Sequence, residues 1–241
     1  MTRASSNRPP ILWLALAVVT TVLLGITLYM IFFFAPIERQ MGIAQKIFYI
    51  HVPSAWGMYI GFVTCGICSG IHLFTSGKKG RLWDSLAVSG AEIGVLFCMA
   101  VLVTGPLWAR KAWGIWWTWD PRLTSTMLAG LVFLSYLALR SFGTAGAAER
   151  RFASALGLLG LLVLPIIHYA TRRWGGQHPT VITDQGGGLH PDMAVTFGVS
   201  SVAFVCLAIL LLWTRSRMEL SRRRLQEADM TAIQSGLLEE A

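Results

Sequence analysis

Six long apolar runs, near residues 11–35, 54–75, 85–107, 123–140, 153–168 and 193–213, leave this chain little choice of fold. Hydrocarbon offers nothing to hydrogen-bond a bare backbone, so a crossing segment must satisfy its own amides, which an unbroken apolar stretch of about 17 to 25 residues does as a helix. The runs therefore predict an all-α integral membrane protein with six transmembrane helices, the fifth being the shortest. Composition agrees: 54% hydrophobic against 13% charged residues, with a mean hydropathy of +0.58, is too apolar for an ordinary soluble domain. The first run is longer than the ~7 to 15 residues of a signal-peptide core. It ends in Phe32, Phe33 and Phe34 without a small-residue cleavage pattern, so it is expected to stay as a span.

Charge orients the spans. With the N-terminus inside, thirteen of the twenty Lys and Arg residues fall on inner segments and seven on outer ones. The positive-inside bias therefore puts both termini in the cytoplasm. Anionic lipid of the inner leaflet accounts for the net charge of +8 without any nucleic acid. Residues 1–213 form the membrane domain in this reading. Residues 214–241, basic at first and acidic at Glu239 and Glu240, are expected to be a frayed cytoplasmic tail.

Chemistry gathers outside. Seven of ten tryptophans and four of five histidines fall on the outer side of that topology. Trp113, Trp116, Trp117 and Trp119 put four indoles into seven residues, within an outer segment of about 108–122. An interfacial belt explains one or two tryptophans beside a span; four, together with Asp120 and Arg122, call for a flat, apolar, charged ligand. Asp120 followed by Pro121 also has the form of a helix N-cap with proline at the first helical position. The other long outer segment, about 168–192, carries His168, His178 and His190 together with the Gly186, Gly187, Gly188 run. Loops of this length are usually functional or disordered. His178 and His190 each precede proline, which favours extended backbone. Opposite them His51 stands at the outer start of span two, beside Pro53. Two imidazoles flanking a tryptophan-lined surface are what an iron porphyrin needs: axial nitrogens, aromatic cover and, from Arg110, Lys111, Arg122, Arg172 or Arg173, cations for its two propionates. From the residues alone His168, His178 and His190 are equal candidates for the second imidazole.

The remaining candidates carry less. Cys65, Cys68, Cys98 and Cys206 all fall inside spans, where a thiol stays protonated and packs, and no heme-attachment or metal-knuckle spacing is present. A transmembrane electron carrier would need a histidine pair at each of two depths. His72 lies 21 residues below His51 but has no inner partner.

The run from Trp113 to Ser125 resembles the tryptophan-rich signature of the heme-handling protein family of cytochrome c biogenesis. Its ending, Trp-Asp-Pro-Arg-Leu-Thr-Ser over 119–125, is similar to the CcmC (cytochrome c maturation protein C) branch. The CcmF and CcsA-type heme lyases share the tryptophans but continue differently after Trp-Asp-Pro, and a CcsA-like or CcmF-like lyase component is the alternative. Tyr49 to Pro53 and Leu164 to Tyr169, followed by Trp174 and His178, match as well, so that the resemblance covers about residues 35–215. His190 and Gly186 to Gly188 have no counterpart in the pattern, and Arg172 and Arg173 stand where some members are acidic or aromatic.

The resemblance implies a bacterial inner-membrane protein that presents non-covalently held heme on its periplasmic face to the heme chaperone CcmE, beside CcmA, CcmB and CcmD. It implies His51 and His178 as axial ligands to the iron, and Trp113, Trp116, Trp117, Trp119, Asp120 and Arg122 as the heme platform. No nucleophile, paired carboxylate or phosphate loop points to catalysis by the chain itself, so any ATPase activity is expected to belong to a partner subunit.

Overall fold

The computed structural model of the 241-residue chain describes residues 10–142, 146–175 and 188–235. Six long helices carry it: α1 (Ile11–Tyr29), α2 (Phe48–Leu73), α3 (Gly77–Trp113), α4 (Pro121–Phe142), α5 (Ala147–Trp174) and α6 (Pro191–Gln234). Each belongs to a stretch long and apolar enough to cross a membrane, and no strand occurs among the described residues. The protein is a multi-pass, all-α membrane protein, as the apolar runs require.

Two helices outrun their apolar cores. At 1.5 Å per residue, the 37 residues of α3 and the 44 of α6 extend about 56 and 66 Å, against about 30 Å of hydrocarbon. The expectation of a frayed segment from 214 onward is corrected here, because α6 continues unbroken to Gln234. Charge pairing explains why. Arg223 of this extension bonds Asp84 of α3 at 2.8 Å and Glu219 at 2.9 Å. Arg215 reaches Glu92 of α3 at 2.8 Å and Glu219 at 3.3 Å. Arg140 of α4 closes on the same Asp84 oxygen at 2.9 Å. The Asp84 side chain is only 1% exposed, and a charge so buried persists only when paired.

The bundle is centred on α2 and α3, which pack most extensively, with α5 and α6 against α2, α4 against α5 and α3, and α1 outermost on α6. Lipid is as apolar as leucine, so helices in a membrane associate through close packing, and small residues allow it. Gly61 of α2 and Gly90 and Gly94 of α3 form such a crossing: a Cβ added at Gly61 would sit 2.3 Å from the Gly94 nitrogen and 2.7 Å from the Gly90 carbonyl oxygen. Beside it Phe62 stacks on Phe133 of α4 with ring centroids 4.0 Å apart.

Pro53 lies inside α2, not at its start, because a short 3-10 turn at Ile43–Ile47 leads into a helix that begins at Phe48. Proline has no N–H for the carbonyl four residues back. That carbonyl, of Tyr49, instead accepts from the Ser200 hydroxyl of α6. On α1, Trp13, Thr20 and Thr27 recur every seven residues on one face; both threonines are buried, and the Trp13 indole donates to Thr214 of α6 at 2.8 Å. Helix α1 thus runs antiparallel to α6, with Ile31 and Ala35 packed near Met193 at the other end.

Candidate functional site

At the end of the bundle where α2 begins and α3 finishes, a cavity of about 420 Å³ opens, within the usual range for small-molecule sites of roughly 300 to 1,000 Å³. His51, Gly105, Pro106, Trp108, Trp113, Trp116 and Trp117 wall it with Phe48 at the start of α2, and Gln40, Met41 and Gln45 close it from the segment between α1 and α2. The lining is aromatic and aliphatic, and among the described residues its polar side chains are one imidazole, two glutamine amides and indole nitrogens.

Local sequence explains the aromatic wall. Helix α3 ends at Trp113 because Gly114 takes the left-handed conformation (φ 77°), its N–H bonding the Arg110 carbonyl at 3.2 Å. The chain then crosses to α4, which starts at Pro121 under Asp120. The Asp120 carboxylate accepts from the Arg122 N–H at 2.8 Å and more weakly from that of Leu123 at 3.4 Å. The capping reading of Asp120 is what the structure shows, and the cap anchors one end of the tryptophan segment. Trp113 meets Trp108 edge-on at 5.5 Å, Trp117 meets Trp119 edge-on at 5.8 Å, and the Arg110 guanidinium lies 5.9 Å above the Trp116 ring.

Not every anticipated residue reaches the cavity. Trp113, Trp116 and Trp117 line it; Trp119 does not, and stands 73% exposed. Arg110, Lys111 and Arg122 are outside the lining, and the Arg122 side chain instead donates to the His168 carbonyl of α5 at 3.5 Å. His168 is exposed on α5 with its ring against Tyr169, and His190 caps α6, its Nδ1 accepting from the Asp192 N–H at 3.3 Å. His72 is tied to the opposite end, donating through Nδ1 to the Gly80 carbonyl at 2.9 Å. His178, Gly186, Gly187 and the side chain of Arg172 lie outside the described residues. Among the described residues no cluster of three or more His, Cys, Asp or Glu side chains could hold a bare metal ion. The four cysteines are free thiols, with Cys65, Cys68 and Cys98 buried, as their position in the spans requires.

His51 is the histidine of the described cavity wall. It is the fourth residue of α2, and its Nδ1 lies 2.8 Å from the Thr104 hydroxyl of α3. Thr104, Gly105 and Pro106 were not singled out from the sequence, nor were Gln40, Met41 and Gln45. A proline within an apolar span and a 13-residue connection at 35–47 are the signals in the sequence that mark these regions. That connection is built rather than loose: the Glu38 carboxylate accepts from the Gln40 N–H at 2.8 Å and from the Met41 N–H, and Gly42 turns the chain at φ 59°.

Comparison with known proteins bears on what fills such a cavity. The family model described as Heme exporter protein C matches residues 5–231. The chain is 36% identical over 220 residues to Heme exporter protein C of Bradyrhizobium diazoefficiens, covering 90% of this chain and 81% of that protein. It is 34% identical to the protein of that name in Escherichia coli, over 85% of this chain and 81% of the relative. For the Haemophilus influenzae protein the identity is 32%, over 85% and 82%. With a family match running almost from end to end, and relatives aligned over most of their own length, this chain belongs to the heme exporter protein C family.

Proposed function

We propose that this protein binds heme in the tryptophan-walled cavity, at the outer, periplasmic face of the bacterial inner membrane, and delivers it to the heme chaperone CcmE during c-type cytochrome biogenesis. Membership of the heme exporter family supports a transfer component rather than an enzyme. The observation that carries the reading is the His51 imidazole, hydrogen-bonded to Thr104 of the next helix, in the wall of an aromatic cavity of about 420 Å³.

The residues present fit heme. His51 offers a neutral nitrogen ligand for iron, Trp113, Trp116 and Trp117 offer faces to a macrocycle, and Gln40 and Gln45 offer amide donors. His178, which precedes Pro179 in the sequence ahead of α6, is proposed as the second axial ligand. Arg110, against the ring of the wall residue Trp116, and Arg122, next in sequence to the wall residue Leu123, are the cations proposed for the propionates. Asp120 fixes the platform through its cap, and the exposed Trp119 is placed to meet the chaperone.

In this reading the chain works beside CcmA, CcmB and CcmD, and any ATP hydrolysis belongs to a partner subunit. The basic residues at the opposite end face the cytoplasm and contact anionic membrane lipid. Holding iron by two separate imidazoles gives transfer a physical route, since one bond can be exchanged while the other still retains the cargo. The test is heme loading of the chaperone in cells that carry this protein. Heme-stained chaperone is expected with the native chain and is expected to vanish with His51→Ala. Undiminished loading in that variant, at equal protein level, contradicts the proposal.

A further inference from the structure

We infer that Thr104 is the positioning residue of His51, fixing by hydrogen bonding which imidazole nitrogen carries the lone pair offered to iron. The inference rests on the proposed role of His51 as an iron ligand and assigns to α3 the control of that ligand.

One hydroxyl proton decides the tautomer. The Thr104 hydroxyl oxygen is 2.6 Å from the carbonyl oxygen of Ala100, one turn back on α3. A carbonyl only accepts, so the single hydroxyl proton goes there. Toward His51 Nδ1, at 2.8 Å, the same oxygen is then an acceptor, and Nδ1 must be the protonated nitrogen. A neutral imidazole carries one N–H, which leaves the lone pair on Nε2.

The neighbouring backbone agrees with that seat. A Cβ added at Gly105 would come 3.3 Å from His51 Cε1 and 3.9 Å from Nδ1, so the Nδ1–Cε1 edge of the ring faces α3 at a glycine. Pro106 follows at once, and both Gly105 and Pro106 share the cavity wall with His51. Thr104, Gly105 and Pro106 thus form a shaped rest for one ring orientation. The effect is the familiar one of an outer partner on a metal-binding histidine, where the second nitrogen's hydrogen bond sets tautomer, orientation and basicity.

Thr104→Val keeps the branched shape and removes the acceptor, whereas Thr104→Ser keeps the hydroxyl. Purified in detergent and titrated with hemin, Thr104→Val is expected to bind about 10- to 100-fold more weakly, with a midpoint potential higher than that of the native protein because its imidazole is a poorer donor. Thr104→Ser is expected to restore both. Unfolding midpoints, measured on the same samples, should be close for the two variants; should Thr104→Val fail to fold, Thr104→Ala against Thr104→Ser makes the same comparison. Native affinity and potential in Thr104→Val, alongside loss of heme in His51→Gly, overturn the role of Thr104 alone. Equal losses in the valine and serine variants overturn it too. Unchanged heme binding in His51→Gly overturns the iron-ligand reading on which the inference stands.

Discussion

Gly61→Ala tests how the site is held in place. A Cβ at this position would lie 2.3 Å from the Gly94 nitrogen, 2.4 Å from its Cα and 2.7 Å from the Gly90 carbonyl oxygen, where ordinary contacts between heavy atoms are about 3.5 to 4.0 Å. All three obstacles are backbone, so no rotamer change relieves them, and α2 and α3 must separate by more than about 1 Å. A gap of that size forfeits about a quarter to a half of each dispersion contact along the crossing, with no hydrophobic effect in lipid to compensate. The expected loss lies at the upper end of overpacking changes, about 3 kcal/mol. Unfolding by SDS in mixed micelles, followed by tryptophan fluorescence, measures it. Gly70→Ala is the control, because there the new methyl meets only Leu158 Cδ1 at 3.5 Å and should stay within about 0.5 kcal/mol of native. Because His51 and Thr104 face each other across the same two helices, Gly61→Ala should also weaken heme uptake. Equal stability of the two alanine variants would refute the close-packing argument.

Three further outcomes follow from the same structure. Ser200→Ala strands the Tyr49 carbonyl that Pro53 leaves without an amide, and should lower stability by about 1 to 3 kcal/mol; adding Pro53→Ala, which supplies the missing N–H, should recover most of that in the same SDS titration. Asp84→Ala removes the carboxylate shared by Arg140 and Arg223. It should destabilise by about 3 to 5 kcal/mol and expose the 214–234 extension to faster proteolysis, and a native cleavage rate would argue that the extension is held by something else. Trp117→Ala, in the cavity wall, should weaken hemin binding by at least about 2 kcal/mol, or roughly 30-fold. Trp119→Ala, outside the wall, should bind hemin normally and fail instead in chaperone pull-downs.

Helix number and the aromatic cluster were legible in the sequence because length, hydropathy and tryptophan spacing are local properties. Asp120 was legible as a cap for the same reason: Asp before Pro encodes its own conformation. The Gly57 to Gly61 and Gly90 to Gly94 spacings were also on view, but which glycines face each other depends on a crossing that no single span reveals. The α6 extension was misread for a related reason. Its residues have little amphipathic pattern of their own, and what orders them is pairing with Asp84 and Glu92, more than a hundred residues away in sequence. Among the tryptophans, periodicity could not separate Trp119 from its neighbours, since the segment between α3 and α4 is not helical. His51 was visible as a histidine at one end of span two. Its hydrogen bond to Thr104 was not, because a threonine inside an apolar run looks like any other until the facing helix is known.

The central claim is that His51 holds heme iron in the tryptophan-walled cavity, and one spectrum tests it most directly. The native protein, purified and loaded with hemin, should show the Soret and α/β bands of a low-spin, bis-imidazole heme. His51→Gly should lose them and regain them when free imidazole fills the vacated space. A native spectrum in His51→Gly without imidazole, or a native protein that binds no heme at all, would contradict the account.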